Sequence, residues 1–271
     1  GRHVIPPAMG FTIDWRYAFS QAERDEPDRR EYRFDEEETT GEWYLSDRPE
    51  GNQRLFSDLV DVNHDMGLDF TLPFPVWLDL EAKAKTGFTY AIRDREVDTR
   101  RFKFLHKGER SNSRDILTRD PETIFSDRNI GRDGFQFGEI TRQTDNYTAS
   151  QTIKAAYLLA DLPTVEPVRV AGGVRYEESK QKVETFELFD PDFKPVVSDL
   201  ETADWLPAVN VTYTFWRDML LRAGYGKTVS RPDFRELSPA TFNDVTGGRQ
   251  IFGNPDLKRA MIDNVDLRWE W

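Results

Sequence analysis

The stretch that decides the fold runs from Leu221 to Trp271 and reads LRAGYGKTVSRPDFRELSPATFNDVTGGRQIFGNPDLKRAMIDNVDLRWEW. Two segments that alternate between apolar and polar residues flank a polar middle rich in Gly, Pro and Asn. Side chains with a period of two lie on opposite faces of a β-strand. The apolar face carries Leu221, Ala223, Tyr225, Val265, Leu267, Trp269 and Trp271, and the charged face carries Arg222, Asp266, Arg268 and Glu270. A water-soluble sheet and the wall of a transmembrane barrel with a wet lumen both fit this pattern.

The composition excludes several classes of protein. The 271 residues include 37 Lys and Arg against 49 Asp and Glu, a net charge of −12, which argues against a nucleic-acid partner. No run of 18 apolar residues exists, which excludes a transmembrane helix but not a barrel, because barrel strands alternate apolar with polar residues. No cysteine is present, so the chain has neither a disulfide nor a thiolate metal site.

The same alternation predicts eight strands along the chain. The clearest is Phe11–Ser20, in which five successive odd positions are apolar or aromatic. The other predicted strands are Asp58–Leu72, Leu78–Ile92, Ile140–Leu162, Val168–Lys182, one holding Trp205 to Phe215, and the two of the opening stretch. In Ile140–Leu162 we assign the apolar face to Tyr147, Ala149, Ile153, Ala155, Tyr157 and Leu159. Arg93–Phe104 is predicted to continue as a polar strand or a protruding hairpin arm.

The connections between these strands alternate in length. Short turns are predicted at Pro73–Val76, Leu162–Pro167 and Phe215–Asp218. Long polar loops are predicted at Glu23–Gln53, Leu105–Glu139, Thr185–Glu201 and Pro232–Met261. Short turns on one rim and long loops on the other are typical of an antiparallel up-and-down transmembrane β-barrel, with short periplasmic turns and long extracellular loops. No segment has convincing helical periodicity. We therefore predict an all-β chain whose Leu221, Tyr225, Leu267 and Trp269 face lipid.

Several segments then carry a resemblance to a known family. LRAGYGKTVSRPDFRELSPATFNDV and GNPDLKRAMIDNVDLRWEW resemble the C-terminal half of bacterial TonB-dependent outer-membrane receptors. Upstream, GEITRQTDNYTASQTIKAAYLLADLP, AGGVRYEESKQKVE, DWLPAVNVTY and GFTIDWRYAFSQAERDEPDRREYRF are similar to the same family. The resemblance covers most of the chain and is nearest to the branch known from xanthomonads and caulobacters.

The resemblance implies a 22-stranded barrel in the outer membrane of a Gram-negative cell, closed by an N-terminal plug domain. It also implies uptake of a scarce nutrient with energy relayed by TonB. An oligosaccharide is the favoured substrate and a ferric siderophore the next. The implied partners are outer-membrane lipid, the plug domain, TonB and the nutrient. Because only about eight strands and no plug domain are visible, we interpret residues 1–271 as part of a single β-barrel domain from a longer chain.

The candidate site residues fall into a charged and an aromatic set. Arg231, Asp233, Arg235 and Glu236 have two interpretations: contacts to substrate or plug from the lumen, or a salt-bridge network that fixes strand ends and loop. We favour the network. Trp43, Tyr44, Phe234 and Phe242 lie in or beside predicted extracellular loops, where aromatic rings either stack on sugar rings or pack the loop.

The residues give little support for a cofactor, a metal or an enzyme. His3, His64 and His106 have no metal-ligand spacing, and His64 is in phase with an apolar strand face, which favours packing. The acids Asp35, Glu36, Glu37 and Glu38 suit Ca²⁺ chemically but lack a known loop spacing, so we favour a solvated charge run. Two other functions stay open: a soluble or small-barrel β-module that binds carbohydrate or protein, and an outer-membrane hydrolase.

Overall fold

A computed structural model gives the architecture, and it describes residues 1–48, 51–77, 80–142, 144–165, 167–186, 192, 194–217, 219–243 and 250–271. The main feature is a ten-stranded sheet in which neighbouring strands are antiparallel. The strands are β1 (Arg2–Ile5), β2 (Phe11–Glu31), β3 (Phe34–Glu36), β4 (Trp43–Leu45), β5 (Gln53–Pro75), β6 (Glu81–His106), β7 (Phe135–Glu139), β8 (Asn146–Val165), β9 (Val168–Phe186), β10 (Val197–Trp216), β11 (Met219–Ser230), β12 (Thr241–Asn243), β13 (Gln250–Phe252) and β14 (Ala260–Glu270).

The spatial order of the large sheet follows the chain, β1-β2-β5-β6-β8-β9-β10-β11-β14, and β7 pairs with the far end of β6. β3 with β4 and β12 with β13 form two small separate hairpins. The eight predicted strands are therefore confirmed as an up-and-down meander. Within the described residues the sheet does not close on itself, and β1 and β14 lie at its two edges.

Short helices lie in the connections rather than in the sheet. They are 3₁₀ turns at Pro6–Ala8 and Arg110–Asn112 and single α-helical turns α1 (Arg114–Leu117), α2 (Pro121–Ile124) and α3 (Phe234–Leu237). These are too short for the 3.6-residue period to show in the sequence. Among the described residues, no helix has the length and apolarity needed to cross a membrane.

The register places one apolar row across the sheet. Paired residues share a face, and the pairs Trp15–Leu68, Leu68–Phe88, Phe88–Ala156, Ala156–Tyr176 and Tyr176–Trp205 link β2 to β10. Trp15, Phe88 and Trp205 are more than half exposed although they are large and apolar. We name this side the apolar face and the opposite side the polar face. A continuous exposed apolar surface of this kind is rare on a protein in water, because burial of the same side chains would stabilise the folded state.

The predicted face of β8 is wrong. Ala156 and Leu158 pair with Phe88 and Thr86 on the apolar face, and Leu158 is 62% exposed there. The predicted apolar residues, Tyr147, Ala149, Ile153, Ala155, Tyr157 and Leu159, lie on the polar face instead. In the second half of β8 both faces carry apolar residues, with Ala156, Leu158 and Ala160 on one side and Ala155, Tyr157 and Leu159 on the other, so alternation there does not decide between them. Only the pairing with β6, where Ile153 meets Ala91, fixes the side.

Several strands extend into segments predicted as loops, and Arg93–Phe104 is confirmed as a continuation of its strand. β2 continues to Glu31, β6 to His106 and β9 to Phe186. Over these extensions the side that continues the apolar face carries charged residues, such as Glu23 on β2 with Asp94 and Glu96 on β6. At about 3.3 Å per residue, the 26-residue β6 is roughly 85 Å long. The strands therefore project well beyond the apolar band.

The first short turn lies later than predicted. β5 continues through Pro73 and Pro75, which pair with Lys83 and Glu81 of β6. After β5 the Val76 amide donates to the Leu80 carbonyl, and β6 begins at Glu81. The predicted strand start, Leu78, lies outside the described residues. Pairing of β5 with β2 ends at Thr71. Beyond that point β5 is hydrogen-bonded to a neighbouring strand on one side only. Proline is tolerated there because the backbone N–H that it lacks would have no carbonyl acceptor on the open side.

Candidate functional site

The segment that follows β11 folds back onto the polar face. Asp233 caps α3: its side chain accepts from the Arg235 amide, and the Glu236 carboxylate accepts from the Asp233 amide at 2.8 Å. This reciprocal pair is a capping box. Phe234 and Leu237, on the single turn that it starts, are 1% and 0% exposed. They form a core cluster with Val97, Tyr147, Ala149, Val183 and Ala240.

Two arginines of β6 hold this turn in place. Arg93 and Arg95 each donate to the Asp233 carboxylate, at 3.3 and 3.2 Å, and both also bond Asp61 of β5. Their guanidinium carbons lie 5.0 and 5.3 Å from the centre of the Phe234 ring, within the range of cation–π attraction. Sequence reasoning missed Asp61, Arg93 and Arg95 as site residues, because the charges lie on distant strands and only the register brings them to Asp233.

Asp233 and Asp61 lie beyond the apolar band, and their surroundings favour the charged form. Burial by itself raises the pKa of Asp233, but the Arg235 amide and the two guanidinium groups outweigh it and hold the pKa below its ordinary value. Burial likewise opposes ionisation of Asp61, yet its bonds to Arg93 and Arg95 leave its pKa lowered. The cluster is therefore a charged network at neutral pH.

Arg231 belongs to a second, more deeply buried network. It donates to Glu177 of β9 at 2.6 Å and lies 3.5 Å from Asp204 of β10, which also accepts from Arg259 at 2.6 Å. The Arg231 and Asp204 side chains are only 10% and 1% exposed. The loop between β11 and β14 is thus attached at both ends. Arg231 ties its start to β9 and β10, and Arg259 ties its end to β10. The structure thus places Arg231 and Asp233 in two separate ion-pair networks and Glu236 in the capping box of α3.

A cavity of about 300 Å³ lies beside this segment on the polar face. Its base is formed by Leu55, Leu59, Val97 and Tyr147, from β5, β6 and β8. Its charged lining consists of Arg24, Arg29, Arg95, Arg101, Arg235, Glu26 and Asp145. Of the four predicted charged residues, Arg235 is the one that lines this cavity.

The predicted aromatic residues are not brought to the same place. Trp43 and Tyr44 lie on the β3–β4 hairpin, where Trp43 is 56% exposed and Tyr44 packs beneath the Arg114 guanidinium at 4.2 Å. Tyr44 also borders a loop cluster formed by Leu45, Phe104, Leu117, Ile124 and Phe135. Phe242 lies on β12 with its backbone paired to Ile251, and its side chain is outside the described residues.

The loop acids and the histidines do not form a metal site within the described part of the chain. Asp35 accepts from the Ser46 hydroxyl and pairs with Arg33 and Arg48, so it is tied into the hairpin rather than simply solvated. His64 packs against Tyr17 and Phe19 on the apolar face, which confirms its packing role.

A family model described as TonB dependent receptor-like, beta-barrel matches residues 8–271. The chain belongs to this family. No curated protein matches it. Two solved structures are similar to it: the alcaligin outer-membrane receptor FauA from Bordetella pertussis (TM-score 0.44, 12% identity, 84% of this chain) and the siderophore receptor PiuA from Acinetobacter baumannii (TM-score 0.42, 10% identity, 81% of this chain). The chain spans 29% and 30% of the length of those two proteins.

Family membership assigns this receptor segment to the bacterial outer membrane and confirms the predicted fold class. The apolar face is therefore the lipid-facing side, and the row from Trp15 to Trp205 crosses the apolar core. About 9–11 residues of a tilted strand suffice for that crossing, so the charged extensions of β2, β6 and β9 lie outside the membrane. The segment 231–240 and its cavity lie on the lumen side of these extensions. The xanthomonad and caulobacter branch stays a prediction.

Proposed function

We propose that this chain supplies part of the barrel wall and extracellular binding face of a receptor that imports a nutrient with energy relayed by TonB. The observation that carries the proposal is the segment 231–240, fastened by buried ion pairs to the lumen side of the projecting strands. A rigidly held polar surface with an open cavity beside it suits recognition of a solute, because the binding groups need no reordering when the solute arrives. The remaining strands, the plug domain and the contact with TonB belong to the longer protein that we propose.

An oligosaccharide is the substrate that we favour, and a ferric siderophore is the alternative. The family branch suggested by the sequence supports this choice. The half-exposed Trp43 supports it too, because an indole ring presents a flat apolar surface for a sugar ring at a loop tip. Arg235 is the predicted charged residue that we retain as a ligand contact, since it lines the cavity. Arg231, Asp233 and Glu236 hold the segment that presents it.

Deletion of the full-length gene in its source bacterium tests the proposal. We expect loss of uptake of a labelled oligosaccharide at low concentration, with glucose uptake unchanged, and the same loss in a strain that lacks TonB. Complementation with the intact gene should restore uptake. A strain that takes up the oligosaccharides normally and fails to grow only under iron limitation would favour the siderophore instead. Full uptake of both kinds of solute would contradict the proposal.

A further inference from the structure

The cavity beside segment 231–240 is positive in a chain that is strongly negative overall. Five arginines and two carboxylates line it, a formal charge of +3, whereas the whole chain carries −12. The arginines come from three separate elements: Arg24 and Arg29 from β2, Arg95 and Arg101 from β6, and Arg235 from α3. Convergence of cations from distant parts of the sequence has an electrostatic cost, since like charges repel. That cost is offset when an anion binds among them.

Some of these arginines already have carboxylate partners. Arg101 donates to the buried Asp145 at 2.8 Å, Arg95 pairs with Asp61 and Asp233, and Arg29 lies 3.6 Å from Glu26. Arg24 differs from them: within the part of the chain that the structure describes, no carboxylate lies within 4 Å of it. Its β-strand position pairs it with Leu59, in the row that continues through Val97 to Tyr147 at the base of the cavity.

The shape of the cavity limits what fits. A volume of about 300 Å³ is at the small end of ligand sites, so it accommodates one ring and its substituents rather than a whole oligosaccharide. The base contributes apolar surface from Leu55 and Leu59, against which the apolar face of a ring can pack. Guanidinium groups bind carboxylates in a planar, two-point geometry, which makes arginine the residue suited to an acidic substituent.

We infer that this cavity binds a carboxylate-bearing sugar unit, with Arg24 and Arg235 as the contacts to its carboxylate. The inference rests on the proposed uptake function and narrows its substrate class to acidic oligosaccharides. Arg95 and Arg101 are held in place by their own acids, which largely neutralise them. Arg24 supplies a charge that has no carboxylate partner among the described residues.

Calorimetric titration of the purified full-length receptor in detergent tests the inference. Digalacturonate is the probe, and digalactose, which lacks the carboxylates, is the uncharged control. We expect digalacturonate to bind at least tenfold more tightly than digalactose, and its affinity to fall as NaCl is raised. Arg24→Gln should weaken digalacturonate binding about tenfold. Arg132→Gln, which alters an exposed loop arginine away from the cavity, should leave the affinity unchanged. Arg24 makes no ion pair in the described structure, so its replacement does not threaten folding.

The outcomes separate this inference from the proposed function. Equal affinity for the two disaccharides, or wild-type affinity in Arg24→Gln, overturns the acidic-sugar assignment. TonB-dependent uptake of neutral oligosaccharides would then leave the proposed function standing. Binding of ferric citrate, weakened by Arg24→Gln, without binding of digalacturonate also overturns the sugar assignment. Tight digalacturonate binding with the expected losses supports the inference even where transport itself has not been measured.

Discussion

Arg231 donates a hydrogen bond to Glu177 at 2.6 Å, and both side chains are about nine-tenths buried on the lumen side of the sheet. The two residues are 54 positions apart in sequence and belong to different elements. Their contact joins the start of the loop after β11 to the middle of β9, with Asp204 of β10 close by. This ion pair therefore fixes the position of the loop after β11 relative to strands β9 and β10.

Arg231→Ala should destabilise the folded receptor. Removal of one partner leaves Glu177 and Asp204 buried with less compensation, and the expected cost is about 3–5 kcal/mol. The measurement is the temperature at which the full-length protein loses its folded mobility on a detergent gel. Arg222→Ala, which removes a half-exposed arginine of β11, serves as the control and should shift this temperature little. An equal shift in both variants would contradict the network's role.

Phe234→Ala should release segment 231–240 from the polar face. The Phe234 ring is fully buried between the guanidinium groups of Arg93 and Arg95 and the core beneath, and its truncation costs about 3–5 kcal/mol. Hydrogen exchange of the 231–240 amides should accelerate, while exchange in β9 stays slow. Phe252→Ala removes an exposed ring of the same loop and should leave exchange unchanged. Slow exchange in Phe234→Ala would show that other contacts hold the segment.

Leu158 and Leu159 test the assignment of the β8 faces. Leu158 lies on the lipid-facing side, so Leu158→Arg should cost about 2–4 kcal/mol if its position is near the bilayer midplane. Leu159→Arg, one residue along, places the charge on the lumen side and should be tolerated. The comparison is the yield of folded full-length receptor in lipid vesicles. The face predicted from the sequence requires the opposite result, with Leu159→Arg the more damaging change.

Acidification should weaken the loop cluster around His106. Burial lowers the pKa of His106, the nearby Asp47 only partly opposing this, so the folded state favours the neutral ring. The corresponding stability is present above the unfolded pKa of about 6.5 and is lost as pH falls from there through the lowered pKa of the folded state. The protection factors of the α1 and α2 amides, which are exchange rates corrected for the intrinsic pH dependence of exchange, should therefore fall between pH 7 and pH 5. His106→Gln should remove most of this pH dependence. An identical pH response in the variant would show that His106 is not its cause.

Much of the wall was predictable because each strand repeats a local rule. Phe11–Ser20 and the two strands of the opening stretch alternate cleanly, and their apolar sides are those that face lipid in the structure. His64 was assigned to the apolar face by the same rule. The rule failed for β8, because Ile153 and Leu158 are both large and apolar although they lie on opposite faces of the strand. The polar extension of β2 beyond Glu23 is predicted as a loop because charge there masks the strand period, whereas Arg93–Phe104 is correctly predicted to continue as a polar strand.

The candidate site was predictable only in part. Asp233 followed by Glu236 is a capping signal that indicates a helical turn directly. Arg235 belongs to the predicted charged set, for which we favour a salt-bridge network over contacts to substrate or plug. The partners of these residues were not visible, because Asp61, Arg93, Glu177 and Asp204 meet them through strand pairing over long separations. Trp43 and Tyr44 were grouped with this site by residue type, yet the structure places them on a separate hairpin.

The sequence by itself determined the class of this protein: alternating strands, alternating short and long connections, and the family motifs follow from local order along the chain. Only the tertiary structure decided which side of β8 faces lipid and which arginines meet in one cavity. The physical reason is that side-chain alternation depends on neighbours one or two residues away, whereas register depends on hydrogen bonds between strands that are far apart in the chain. The arginine cavity exists only after that register is set.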